Sequence, residues 1–430
     1  MAGGASIVCF IVITLFVDKG ADMSRFALAV YYIAFLVNYP HFMSSYLLLY
    51  SDARHGWGDW KSNRIFALKL WWAGVIVPVF LVAIFVYGLV AEDREFVGSL
   101  ANIMYFFVGW HYIKQIYGCV IVLSSAKKVY YSALERWSIL IPLYSLWAIA
   151  YVNANMSGGI GRYFQVAYQE WNIPEGYLYG AYAMLAMSTY VMVAMLVKKY
   201  VTEQKGPPIA AIVALISIYL WFIPTFTHPF YAYIIPFFHS LQYLLFVIAY
   251  ERNHEYASAA LPTTSRFNKL TGLGGALFLA LPLAAFCLLM YVSPPQSADY
   301  LLVLVYGTLA AVSTLLWVKT ALVLAVALAI VWYIKRRAKN AGAMWRFVDF
   351  FVTAFVLGVL FFQLVPTIFD ILVRNHLLPA YLDYQYSMFG VSLYLYFFTV
   401  LINVHHYFID NVIWKSDNPH IRAHLFAPKV

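Results

Sequence analysis

The stretch VSLYLYFFTVLINVHHYFIDNVIWK, residues 391–415, holds both the fold class of this chain and its most suggestive chemistry. It is an apolar run with His405 and His406 side by side near its end and Asp410 four residues after His406. Trp414-Lys415 closes it as an interfacial anchor closes a membrane helix. On a helix His406 and Asp410 share a face, so the carboxylate can hold the imidazole by one ring nitrogen and leave the other for a metal. The plainer reading is a helix end that turns polar as it meets water. What separates the two is where the other histidines fall.

Outward from this stretch the whole chain is of the same kind. Its 430 residues are 63% hydrophobic and only 11% charged, with a mean hydropathy of +0.74, which excludes a soluble globular protein of ordinary make-up. The apolar runs are too long for outer-membrane strands and lack period-2 alternation, so the fold class is all-α, a polytopic membrane helix bundle. A net charge of +9 in such a chain marks the cytoplasmic face before it marks any nucleic-acid partner. Cys9, Cys119 and Cys287 are scattered within apolar runs and form neither a disulfide framework nor a thiolate metal site.

Twelve spans are expected: 2–17, 24–50, 65–90, 96–123, 134–152, 177–197, 207–226, 230–250, 274–292, 300–334, 347–370 and 386–410. The connecting segments test that count, because one misplaced span would scramble the alternation of basic and non-basic loops. Segments 51–64, 124–136, 198–206, 251–270 and 335–346 and the tail from 411 hold most of the Lys and Arg. The alternate segments hold only Lys19, Arg25, Arg94, Arg162 and Arg374. The positive-inside rule then puts both termini in the cytoplasm. Residues 300–334 would be about 52 Å long as one helix, and Lys319 lies inside them; one long or kinked span keeps Lys335, Arg336 and Arg337 inside. The longest outer loop, 153–176, contains Gly158, Gly159 and Gly161 and reads as a cap. With no internal repeat or linker, residues 1–430 read as one integral membrane domain.

Orientation gives each histidine a depth. His41 precedes its helix end at Tyr50 by nine residues, His111 precedes Leu123 by twelve, His239 precedes Tyr250 by eleven and His405 precedes Lys415 by ten. Four helices therefore present imidazole about 14 to 18 Å from the cytoplasmic boundary. Ionisable groups within spans are costly and usually face the bundle interior as parts of functional sites, although a lone imidazole often serves only as a bond between helices. The expected metal ligands are His41, His111, His239 and one of His405 and His406. An all-imidazole set suits iron, copper or zinc, and Asp410 is the carboxylate that balances the charge. Lys114, on the face of His111, pairs with Asp410 or holds a substrate oxyanion, unless it only snorkels toward the cytoplasm. His228, beside Pro229, reads as a capping or gating residue, and His55, His254, His376, His420 and His424 fall in loops or the tail. The 19% aromatic content, with 36 tyrosines, exceeds what interfacial belts need and is either packing or the wall of a tunnel for a long apolar substrate.

A Pro40-His41 step on an early span, His111 on a later one and further histidines near one depth resemble the bacterial Brp/Blh-type carotenoid oxygenases. That resemblance implies a non-haem iron held by membrane histidines, in an integral multi-pass protein of a bacterial inner membrane. It covers the Pro40-His41 and His111 regions. The chain is longer, lacks that family's pair of histidines one turn apart and carries His239 and the His405-His406 doublet instead, so the chemistry class is carried over and the substrate is not. The favoured expectation is a metal-dependent oxygenase acting on a lipophilic substrate drawn from the bilayer lipids, with an electron donor as a further partner and no nucleic acid. The competing readings are a haem protein, an acyl- or glycosyl-transferase with His239 or His406 as base, and a transporter using His and Lys114 as proton relays, against which the missing two-fold repeat stands.

Overall fold

The computed structural model describes residues 3–16, 36–51, 63–164, 166–223, 230–258, 343–374, 393–415 and 421–426, with single positions 329, 332, 336 and 418. In chain order these form α1 (Gly4–Phe16), α2 (36–51), α3 (Arg64–Val90), α4 (Arg94–Ala126), α5 (Ala133–Ala154), the strands β1 (Ile160–Tyr163) and β2 (Val166–Gln169), α6 (Gly176–Glu203), α7 (Ile209–Phe222), α8 (Phe230–Ser258), α9 (343–374) and α10 (Leu393–Ile413). A short π-helical turn follows at Arg422–Phe426. Among the described residues the apolar runs recur as helices, and five of these helices, α3 to α6 and the Trp345–Asp370 part of α9, are long and apolar enough to cross a membrane. This is a largely helical membrane protein. The expected spans at 274–292 and 300–334, with Cys287 and Lys319, lie outside the described residues, as do His55, His228, His376 and His420.

The chain divides into two compact units, the first made of Met1–Gly4, Ser45–Thr227 and Val359–Arg422, the second of Ala5–Ser44, His228–Gly358 and Ala423–Val430. In the first unit α4 and α10 run parallel. The Tyr396 hydroxyl donates to the Val97 carbonyl at 2.7 Å near their starts, Phe107 meets Phe408 at 5.5 Å between ring centroids, and Tyr407 stacks on His111 at 4.6 Å. Around that seam Phe85, Leu100, Met104, Phe397, Val400 and Val404 form a buried core. Local sequence starts the helices. Asp93 accepts from the Phe96 N–H at 2.8 Å to cap α4, and Ser132 and Glu135 make a reciprocal capping box for α5.

Two helices carry π-helical turns, Trp72–Ile76 in α3 and Leu360–Leu364 in α9, and each is followed directly by Val-Pro. A proline inside a helix has no N–H to give the carbonyl four residues back and crowds it, and a wider turn relieves the clash. The carbonyl that Pro78 cannot serve is that of Gly74, and the Tyr50 hydroxyl takes it at 2.9 Å.

The loop expected to be a cap is an antiparallel hairpin, Ile160 opposite Gln169 and Tyr163 opposite Val166. Asn102 of α4 donates to the Gln169 carbonyl at 2.6 Å. Gly98 lets the Ala167 carbonyl approach α4 where any side chain would collide with it. In the second unit Arg346 pairs with buried Glu255 at 2.7 Å, and the Asn253 side chain donates to the His424 carbonyl at 2.7 Å.

Candidate metal centre

In the first unit α10 buries its histidine doublet, with His405, His406 and Tyr407 each at most 3% exposed. The i, i+4 spacing brings His406 Nε2 to 3.3 Å from Asp410 Oδ2. Parallel packing of α4 puts His111 at the same level, its Nε2 3.7 Å from that same oxygen, and the two imidazole rings are 4.9 Å apart at 65°. The other carboxylate oxygen, Oδ1, accepts from the Ser45 hydroxyl of α2 at 2.8 Å. One oxygen is therefore anchored, and the other points between two imidazoles.

These spacings discriminate between chemistries. A charge-assisted bond between imidazolium and carboxylate closes to about 2.7–2.9 Å, shorter than either contact. Atoms that share an ion at about 2.1 Å lie about 3.0 to 3.4 Å apart in octahedral or tetrahedral arrangement, which 3.3 Å satisfies and 3.7 Å approaches. The ligand atoms of His111, His406 and Asp410 all fall within 4.8 Å of one another. This buried histidine and aspartate cluster can hold a metal ion. Its donors are two imidazoles and one carboxylate.

The histidine doublet is sorted by rotation along the helix, since adjacent residues point about 100° apart. His405 turns toward α3, and its Nε2 bonds the Ala73 carbonyl at 2.7 Å within the π-helical turn. A carbonyl only accepts, so Nε2 carries the proton and Nδ1 accepts from the Tyr46 hydroxyl at 2.9 Å. Both ring nitrogens of His405 are engaged by protein, so it pins α10 to α2 and α3, while His406 stands beside His111 and Asp410.

His41 and His239 belong to the second unit, where α2 and α8 bring their rings to 4.8 Å at 73°. Ser240 donates to Asn38 Oδ1 at 2.6 Å, and its oxygen lies 2.8 Å from His41 Nδ1. With its one proton given to Asn38, Ser240 accepts from the Nδ1–H of His41. Tyr243 covers the ring at 4.3 Å.

Lys114 holds its ammonium 6.0 Å from the Trp110 ring centroid and 5.7 Å from that of Tyr117, while Asp410 engages His111, His406 and Ser45. Sequence reasoning passed over Ser45, Tyr46, Asn38 and Ser240. The signal for the first three was on the page: Asn38, His41 and Ser45 recur at three- and four-residue intervals in an otherwise apolar helix, with Tyr46 next to Ser45. No family model matches the chain, and neither a curated protein nor a solved structure is significantly similar to it.

Proposed function

We propose that this protein is a multi-pass membrane metalloenzyme in which His111, His406 and Asp410 hold a non-haem iron and oxidise a lipophilic substrate with dioxygen. One observation carries the reading: two imidazoles and a carboxylate, all inside the protein, converge at spacings close to those around a shared ion. Iron supplies the binding and activation of oxygen. The chain's own residues hold it, with Ser45 fixing the carboxylate and Tyr407 covering the His111 ring, and burial excludes water from the site.

The proposal keeps the finer topology expected from the loop charges, twelve spans with both termini cytoplasmic in a bacterial inner membrane, and an electron-donating partner. Metal analysis of purified protein with an optical spectrum tests it. Near one iron per chain, with no Soret band and with loss of the metal in His111→Ala and His406→Ala, is expected. A Soret band points to haem instead, and protein without metal after loading with ferrous iron under argon overturns the reading.

A further inference from the structure

The first unit contains a cavity of about 480 Å³ between α3, α4 and α10, and every residue around it is aliphatic or aromatic, among them Trp72, Phe80, Ile103, Phe107, Val400 and Phe408. We propose that this cavity binds a single hydrocarbon chain taken laterally from the bilayer and directs one end of it toward His111. The inference rests on the reading of the His111, His406 and Asp410 cluster as a reaction centre only for what the chain is delivered to.

Three observations choose the occupant. With no charged or amide side chain in the lining, a polar headgroup has nothing to meet there, so only a hydrocarbon portion fits inside. Of the lining residues Trp72, Ile76 and Phe80 are exposed on α3, a helix apolar enough to span a membrane, so lipid is the source the proposal assigns. The volume falls in the range of single-ligand pockets, about 300–1,000 Å³, and toward its lower end, which suits one chain better than the two of a phospholipid. Along α10 the lining runs from Phe397 to Phe408, about 16 Å at the helical rise.

The direction follows from the helices. Phe397, stacked on Phe85 at 3.5 Å, stands at one end. Phe107 and Phe408, 5.5 Å apart, stand at the other, and His111 is one helical turn beyond Phe107 on the same side of α4. On α10 the lining residues 404 and 408 face away from His406 and Asp410, so the cavity is a separate chamber and the Phe107 and Phe408 rings are the partition a chain end must pass. The kinked π-helical turn of α3 supplies Trp72 and Ile76 to the wall, in keeping with the frequency of such turns at functional sites.

Photolabelling tests this on the full-length protein in nanodiscs, with diazirine-bearing palmitate in one arm and diazirine-bearing geranylgeraniol in the other, followed by peptide mapping. Label concentrated on residues 72–84, 100–107 and 397–408, and reduced at least tenfold by excess unlabelled chain, is expected; the arm that labels more strongly identifies an acyl or an isoprenoid source. The exposed helix α6 reports contact with bulk lipid, and equal, non-competable label there and in the cavity overturns the proposal. Val400→Trp, or Ile103→Trp from the facing wall if the first does not fold, should lower cavity label about tenfold and leave α6 label unchanged. His406→Ala should still label in the cavity. Wild type that holds iron but labels only like α6 sinks this inference alone, whereas cavity label in a protein that never binds metal sinks the metal reading alone.

Discussion

Asp410→Asn keeps the shape of the side chain, and its amide oxygen still accepts from Ser45 in place of Oδ1, now 2.8 Å away. What it removes is the negative charge between His111 Nε2 and His406 Nε2, at 3.7 Å and 3.3 Å from Oδ2. Changes to groups that merely orient a ligand already cost about 10 to 100-fold in metal affinity. Asp410 is placed to ligate directly and to compensate a cation where little water reaches, so the loss should be at the top of that range or beyond: about 100-fold, or about 2.8 kcal/mol. The assay is an anaerobic ferrous-iron titration in detergent, followed by optical or calorimetric signal. Asp93→Asn is the control, because Asp93 caps α4 through Phe96 N–H and asparagine caps a helix as well as aspartate. Titration curves for Asp410→Asn within twofold of wild type would show that the cluster is a set of polar packing contacts and not a metal centre.

One further outcome follows from the contacts of His405 and another from the loop charges. His405→Ala strips the Ala73 carbonyl and the Tyr46 hydroxyl of their partner and should lower stability by about 1–3 kcal/mol while metal per chain stays near wild type; a thermal melt with metal analysis checks both, and a protein that melts normally but loses its metal reverses the roles of His405 and His406. For topology, single cysteines introduced at Lys205 and Lys415 should react with an impermeant maleimide from the same side of the membrane and one at Gly158 from the other; labelling of Gly158→Cys and Lys415→Cys from one side would refute the orientation from which the histidine depths were counted.

Hydropathy and run length were enough for the described helices because lipid imposes a single rule on the backbone, that every N–H and C=O be satisfied within its own segment. Runs such as 96–123 and 134–152 therefore reappear as α4 and α5 with ends moved by only a few residues. The hairpin at Ile160–Gln169 was not legible in the same way. Its glycines read only as part of a cap, and the pairing is held by contacts remote in sequence, the Asn102 bond to Gln169 and the space left by Gly98. The π-helical turns belong to the same class: Pro78 in the sequence announces a disturbance of α3, but neither the π form of the turn nor the Tyr50 hydroxyl that donates to the Gly74 carbonyl can be read from it.

The site shows the same division between what counting residues can and cannot resolve. Depth along a helix is linear in residue number, so His111 and His406 could be placed at one level from sequence alone, and in the first unit they stand together. Azimuth is set by which neighbour a face meets, and that is why the doublet stayed ambiguous: His405 and His406 differ by one step of depth but by about 100° of direction. The discriminating partner for His405 is a backbone carbonyl at Ala73, a group every residue has and no sequence pattern advertises. A carbonyl in a regular helix can take a side-chain donor on its second lone pair, as that of Val97 takes the Tyr396 hydroxyl, and one in a disturbed turn has the more to gain from such a donor. The π-helical turn before Pro78 is such a place. Ala73 stands in that turn, so the bond from His405 ties α10 to the part of α3 that the proline disturbs, and the same helix carries His406 and Asp410, about 100° round from His405 or more, beside His111.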